Sequence, residues 1–348
     1  MIKKITKRID NNFFEKHFPI FPRVGAKYKS LIDDVTSLFN YYVLSNRKFV
    51  FPPISDSFGI STTTFCNAKC GYCAYRCLKD KKEILPFNLF KKVVDEFYSL
   101  GGRKIGLTPT VGDVLIDKEF FKKVKYLRAK GIKTSLYTNA ILLEANIENF
   151  ISIPVDDLHV DLGDILPEID SKIFNIPLEQ SKKRLKAILT LLKEIDKKEI
   201  KQELYLDFRG KRTPGQIIRD LEKSEFNKYH KKGLFKMAFL QAYDNWGGII
   251  SKKDLLGVQT LKIPPKFKKY PCKNLFVLSL LPNGDLRLCG CRCKETLKDE
   301  LVIGNIKDNS LKETYGSKKH KELIKNFVKG EFPIVCKDCS FYRAKIQK

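Results

Sequence analysis

No stretch of this chain approaches the roughly 18 uninterrupted apolar residues of a membrane-spanning helix, so no such span is expected. The opening, Met1-Ile-Lys-Lys-Ile-Thr-Lys-Arg, carries charge with no apolar run behind it, which is not the pattern of a secretory signal. Internal repeats and low-complexity blocks are missing too. Acid is in short supply: 40 Asp and Glu stand against 66 Lys and Arg, a net charge of +26. Such a surplus attracts anions, whether nucleic acid, an acidic peptide, a phosphorylated substrate or a membrane surface. It also fits compositional drift toward Lys, Ile, Asn and Phe, because the lysines are scattered rather than gathered on one motif. There is one Trp and there are four His, of which His17, His230 and His320 have no motif around them. Cysteine is absent between positions 78 and 271.

What is present is a chain of 348 residues, 43% hydrophobic and 30% charged, with enough apolar material for a core, which argues against wholesale disorder. That length predicts two or three domains. Apolar residues at helical spacing predict an amphipathic helix over 30–45 in a leading segment, 1–55. From 56 to about 250 the pattern alternates. Strands are expected over 57–65, 104–108, 132–138, 158–162, 203–208 and 235–242. Helices are expected over 86–100, 117–130, 140–150, 178–195 and 215–223. Alternation of this kind predicts a parallel sheet curled into a partial, TIM-like (β/α)6 barrel, with its chemistry at the carboxyl ends of the strands. After 250 it stops. A hairpin over 277–288 with an Asn-Gly turn, a helix over 311–328 and a terminal Cys pair predict a small α+β domain over 251–348.

The ten cysteines are Cys66, Cys70, Cys73, Cys77, Cys272, Cys289, Cys291, Cys293, Cys336 and Cys339. Without an export signal the expected compartment is the reducing cytoplasm, where disulfides are rare and grouped cysteines point to metal or cluster ligands. Cys66-Asn-Ala-Lys-Cys70-Gly-Tyr-Cys73 directly follows the first expected strand. Three thiolates on one loop can hold three irons of a [4Fe–4S] cube and leave the fourth iron open to a substrate. Zinc would need a fourth ligand, which Cys77 could supply.

That triplet, with Tyr72 before its third Cys, resembles the radical S-adenosylmethionine (SAM) family. The resemblance implies that Cys66, Cys70 and Cys73 bind the cluster and that SAM chelates the open iron. Reductive cleavage of SAM then yields a 5′-deoxyadenosyl radical, which removes a hydrogen atom from the substrate. The cofactor carries the hard chemistry and the protein holds the geometry. The resemblance also marks SAM contacts. Gly112 and Asp113 stand where relatives carry Gly-Gly-Glu, Thr138 and Asn139 resemble the family's Thr-Asn-Gly, and Asp161 and Arg209 end the fourth and fifth strands. His159 reads as a packed or hydrogen-bonded histidine.

In the second group, Cys272 is followed by eleven residues, Gly284, four residues and Cys289. This resembles the SPASM and Twitch auxiliary-cluster domains of radical SAM enzymes. The series ends at Cys336-Lys-Asp-Cys339, which implies a truncated domain with one auxiliary [4Fe–4S] cluster on Cys272, Cys289, Cys336 and Cys339. If Cys289-Gly-Cys291-Arg-Cys293 were a strand, its three thiols would share one face. Cys291 or Cys293 could then replace a ligand or hold a second, partial cluster. Either of them, or Cys77, could also be a free thiol that returns a hydrogen atom, or a plain buried cysteine. Tyr243-Asp-Asn-Trp-Gly-Gly248 reads as the last barrel strand and a linker, with the substrate cavity as a second possible place.

The expected activity is modification of a peptide or protein by crosslinking, epimerisation or oxidation, with a flavodoxin or ferredoxin as electron donor. The alternative is dehydrogenation of a small molecule such as an amino sugar or cyclitol. Outside enzymes, Cys pairs and basic charge also suit a zinc-binding nucleic-acid-binding protein, and RNA modification shares the charge argument.

Overall fold

The computed structural model describes residues 51–344, apart from 57, 267 and 269. The helix expected over 30–45 lies outside the described residues.

Strand–helix alternation is realised. Strands β1 (Phe58–Ile60), β2 (Lys104–Gly106), β3 (Lys133–Thr138), β4 (Asp157–Leu162), β5 (Glu203–Phe208) and β6 (Lys236–Phe239) lie side by side in that order, each parallel to the next. Between them run α1 (Phe87–Ser99), α2 (Phe120–Ala129), α3 (Ile147–Ser152), α4 (Pro167–Phe174), α5 (Leu178–Lys198), α6 (Pro214–Glu222) and α7 (Phe226–Lys231). This is the partial TIM-like barrel that the alternation predicts. Each helix forms where a polar sequence carries one apolar stripe. On α1 it is Phe90, Val93, Val94 and Phe97; on α5 it includes Leu185, Ile188, Leu191, Leu192 and Ile195. Helix α6 starts at a Thr213–Gln216 capping box followed by Pro214.

The pleat then sorts the strand residues. Leu158, Val160 and Leu162 of β4, and Leu204, Leu206 and Phe208 of β5, are buried on one face. His159, Asp161, Tyr205 and Asp207 alternate with them onto the other, inner face, in register with Tyr137 of β3.

Several boundaries differ from expectation. The first strand stops at Ile60, because the Thr62–Thr64 backbone turns aside to pair with 83–85. The helix expected over 140–150 begins only at Ile147, after a turn through Ala140 in the left-handed conformation (φ 60). The helix expected over 311–328 breaks at Gly316 (φ 75) into α8 (Leu311–Thr314) and α9 (Lys318–Lys329). Helices α4 and α7 were not expected.

The region after 250 extends the same sheet. A two-residue pair, β7 (Ala242–Tyr243) and β8 (Thr260–Leu261), precedes it. Then β9 (Leu278–Leu280) lies parallel to β1, with Phe58 opposite Leu278 and Ile60 opposite Leu280. The expected hairpin joins β9 to β10 (Asp285–Leu288), and β11 (Val302–Asn305) adds antiparallel to β10. Nine strands therefore run β11-β10-β9-β1-β2-β3-β4-β5-β6. A last short helix, α10 (Ile334–Lys337), carries Cys336. Among the described residues no helix is long and apolar enough to cross a membrane.

Candidate active site and auxiliary site

The loop after β1 carries Cys66, Cys70 and Cys73. Its course is set by close backbone approach. The Asp113 amide donates to the Phe65 carbonyl (2.8 Å), and a Cβ on Gly112 (φ 125) would lie 2.8 Å from that oxygen and 3.0 Å from the Thr63 carbonyl. Only glycine fits there. The Cys73 amide donates to the Cys70 carbonyl (3.1 Å), and the Tyr75 amide donates to the Cys73 sulfur (3.5 Å). Asn139 Nδ2 donates to Asn67 Oδ1 (2.8 Å) and reaches Cys66 Sγ at 3.7 Å. Burial pushes the Cys66 and Cys73 thiols up to about 12 and Cys70 well above the ordinary range, with repulsion among the three adding to it. Three such thiols ionise together only against a positive partner, as iron provides. Among the described residues no three Cys, His, Asp or Glu side chains close on a single-ion position. A cube takes its thiolates at separate corners, so this donor set fits a cluster.

Beside the loop, Asp161 and Arg209 form an ion pair across the carboxyl ends of β4 and β5. Arg209 also donates to the Tyr243 hydroxyl (3.2 Å) and lies over the rings of Tyr72 and Tyr243, at 5.9 and 5.5 Å, while its buried Nε has no partner. Tyr72 lies beside Cys70 and eases the rise of its thiol pKa. Tyr72, Asp161 and Arg209 are thus brought together with Cys70.

Gly112, Asp113, Thr138 and Asn139 form another group, tied mainly to one another. Asp113 accepts from Thr138 Oγ1 (2.9 Å) and from the amides of Asn139 (2.7 Å) and Leu115 (3.0 Å). Burial raises its pKa against those bonds. With its side chain buried, the Asp113 carboxylate is taken up by its own chain and clamps the β2 and β3 loops together.

Sequence reasoning missed the residues behind this site. Arg184, fully buried on α5, donates to the Asn139 (2.8 Å) and Asp161 (2.7 Å) carbonyls and pairs with Asp170, which also accepts from Ser181 Oγ (2.7 Å). The only available signal was a polar pair, Ser181 and Arg184, one turn apart on the apolar face of a helix. On the inner face His159 is sandwiched between Tyr137 (4.1 Å) and Tyr205 (4.4 Å), and its Nδ1 meets Asp207 Oδ2 at 3.2 Å.

The second group assembles from three segments. Cys272 precedes the turn 273–276, Cys289 follows β10, and Cys336 and Cys339 flank the end of α10. The Arg343 amide donates to Cys272 Sγ (3.4 Å), and the Cys289 amide donates to the Asn274 (3.0 Å) and Val277 (3.1 Å) carbonyls. Burial raises all four thiols; Cys339 adds repulsion at Cys272 and Cys336, and Cys272 and Cys336 add it at Cys289.

The 289–293 segment is not a strand. Cys289 takes a left-handed conformation (φ 54), and Gly290 and Cys291 make a turn. The strict alternation of its three thiols onto one strand face is therefore lost. Cys291 acts on Cys289 and Cys272 from one side and on Tyr137 from the other. Cys293 is fully buried near Cys73, its thiol raised to about 12 by burial. Cys77 ends a short turn and is half-buried. The Asn245 side chain bonds the Asp338 carbonyl (2.7 Å) and the Ser340 amide (3.0 Å). The segment around Trp246 therefore braces the Cys336–Cys339 loop.

Residues 60–200 match the family model described as the Radical SAM superfamily, and residues 272–340 match that of an iron–sulfur cluster-binding domain, SPASM. The chain belongs to the radical SAM superfamily and is an enzyme. More particularly, it is a radical SAM enzyme with a C-terminal SPASM domain, and its cofactors are SAM and [4Fe–4S] clusters. A zinc-binding nucleic-acid-binding protein is thereby set aside. The chain is similar to a GTP 3′,8-cyclase of Mannheimia succiniciproducens, 25% identical over 262 residues, or 66% of this chain and 76% of that one. It is also similar to the enzyme of that name from Haemophilus ducreyi, 29% identical over 113 residues, or 31% of this chain and only 33% of that one. Among solved structures, Streptococcus suis SuiB bound to precursor peptide SuiA shares the fold, with a TM-score of 0.54 and 13% identity over 94% of this chain and 83% of that one.

Proposed function

We propose that this enzyme abstracts a hydrogen atom from a peptide or protein substrate and that the outcome is crosslinking, epimerisation or oxidation. The observation that carries the radical step is the trio of thiols on one loop beside the Asp161–Arg209 pair. Cys66, Cys70 and Cys73 hold the first cluster and leave its fourth iron to SAM. When bound, the pair of cofactors supplies one-electron cleavage of the sulfonium. The protein's part is position and exclusion of water. Tyr72 and Arg209 wall the site beside Cys70. Arg209, partnered by Asp161 and with a free Nε, would meet the SAM carboxylate. Gly112 lets the β2 loop approach, while Asp113, Thr138 and Asn139 keep that loop and the β3 loop in place around SAM.

In this reading 1–55 leads, 56–250 is the radical SAM barrel and 251–348 the auxiliary-cluster domain. Cys272, Cys289, Cys336 and Cys339 hold one auxiliary [4Fe–4S] cluster. Four thiolates close it, so it moves electrons rather than binding substrate. The donor of the first electron is a flavodoxin or ferredoxin, and the compartment is cytoplasmic. What supports a peptide is the basic surplus of the chain, which suits an acidic partner, and the shared fold with a protein that binds a precursor peptide. The GTP 3′,8-cyclase relatives favour a second reading, a small-molecule substrate of nucleotide type.

The test is anaerobic reconstitution with reductant and SAM, followed by mass spectrometry of peptides encoded beside the gene, with GTP run in parallel. Loss of two hydrogens, or solvent deuterium gained without net chemistry, in a peptide supports the first reading. An altered nucleotide supports the second. Absence of 5′-deoxyadenosine with a natural target present overturns both.

A further inference from the structure

A closed cluster on four thiolates is a buried anion, and a buried anion calls for compensating charge. Two buried cations stand at the Cys272, Cys289, Cys336 and Cys339 site, and nothing above uses them. Lys268 is only 7% exposed. Its ammonium donates to the Cys336 (2.7 Å) and Lys337 (2.6 Å) carbonyls, and the thiols of Cys339, Cys336 and Cys272 act on it. Asp338 acts on it as well but forms no ion pair with it, nor does any other carboxylate among the described residues.

Arg287 is fully buried. Its Nε and Nη2 grip Asp299 (2.9 and 2.6 Å). Its Nη1 donates to the Cys289 (2.7 Å) and Leu288 (3.3 Å) carbonyls, and Nη2 donates also to the Arg292 carbonyl (2.8 Å). Those three carbonyls span the turn in which Cys289 holds its left-handed conformation, one that a non-glycine residue keeps only when its surroundings impose it.

We propose that Lys268 and Arg287 are the charge-compensating and positioning residues of the auxiliary cluster. Arg287 locks the 288–292 turn so that the Cys289 thiol faces Cys272 and Cys336. Its own charge is largely met by Asp299. Lys268 has no paired carboxylate, so its positive charge acts on the cluster itself and raises its reduction potential, because reduction adds negative charge at a poorly screened place. This inference rests on the four-thiol ligand set proposed above.

The experiment is an anaerobic redox titration of the full-length, cluster-loaded protein. It follows the electron paramagnetic resonance signal that SAM leaves unchanged, in wild type, Lys268→Met and Lys268→Arg. At a fixed donor potential, Lys268→Met is expected to lower the ratio of reduced to oxidised auxiliary cluster about tenfold, or about 59 mV for a one-electron couple. Lys268→Arg is expected to hold the wild-type ratio. A Lys268→Met protein with full iron and an unmoved potential overturns the role of Lys268. Arg287→Lys keeps the charge but loses the fork, and is expected to lose iron from the auxiliary site while the SAM-responsive signal remains. Full auxiliary iron in Arg287→Lys overturns the positioning role. A wild-type protein that shows only the SAM-responsive cluster would instead sink the ligand set.

Discussion

The two thiol sites are built in opposite ways. Cys66, Cys70 and Cys73 sit on one loop, and a few backbone bonds within and beside that loop arrange them. Cys272, Cys289, Cys336 and Cys339 come from three segments, brought together by the β9–β10 hairpin, the Asn245 brace and the α10 turn. Their charge differs too. Arg209 and Arg292 act on Cys73, each paired with an acid, Asp161 or Asp244, and Arg292 also acts on Cys339; at the second site Arg287 is paired with Asp299, and among the described residues Lys268 has no paired acid. A local trio leaves one corner of a cube open for a ligand. In the proposed reading, the set drawn from distant segments encloses its cube and suits electron transfer.

The sharpest way to break this comparison is to remove one thiol from each site. Cys73→Ala is expected to abolish 5′-deoxyadenosine formation, and iron content is expected to fall by about half. If SAM cleavage survives at the wild-type rate, the open-corner assignment is wrong. Cys336→Ala is expected to cost a similar share of iron yet keep both the SAM-responsive signal and SAM cleavage, while product formation fails. Loss of both signals would show that the two sites are not independent.

A smaller effect is expected at the wall of the first site. Arg209→Lys keeps the charge but loses the planar donors that reach Asp161 and Tyr243 together. The KM for SAM is expected to rise about tenfold, or about 1.4 kcal/mol, with cluster content unchanged. An unchanged KM would remove Arg209 from the SAM contacts. The smallest effect concerns the loop course. Gly112→Ala is expected to lower stability by about 1–3 kcal/mol, since it forces a Cβ toward the Phe65 carbonyl at a positive φ. Thermal unfolding of the apo protein checks this, and an unchanged midpoint would show that the loop gives way.

Much of this was readable before any coordinates. The six parallel strands follow from apolar runs separated by helical stripes, and the Cys66–Cys73 loop from spacing alone, because both are local patterns. The hairpin was legible through its Asn-Gly turn. Other features were not. Asp113 stands in a motif position, yet what its carboxylate binds depends on Thr138 and Asn139 arriving from another strand. Cys289, Cys291 and Cys293 alternate like strand residues, but Arg287 ties the carbonyls around them into a turn. Arg184 and Lys268 look like surface charges in a lysine-rich chain, and only packing buries them.

Order along the chain thus determined the barrel's alternation and the identity and local spacing of the thiols, since periodicity and loop spacing are short-range properties of a polymer. The tertiary structure decided that β9 lies against the edge of β1, that Cys272, Cys289, Cys336 and Cys339 come from distant segments to act on one another, and which cations lie beside them. Those outcomes depend on which distant surfaces exclude water together, and no local pattern records that.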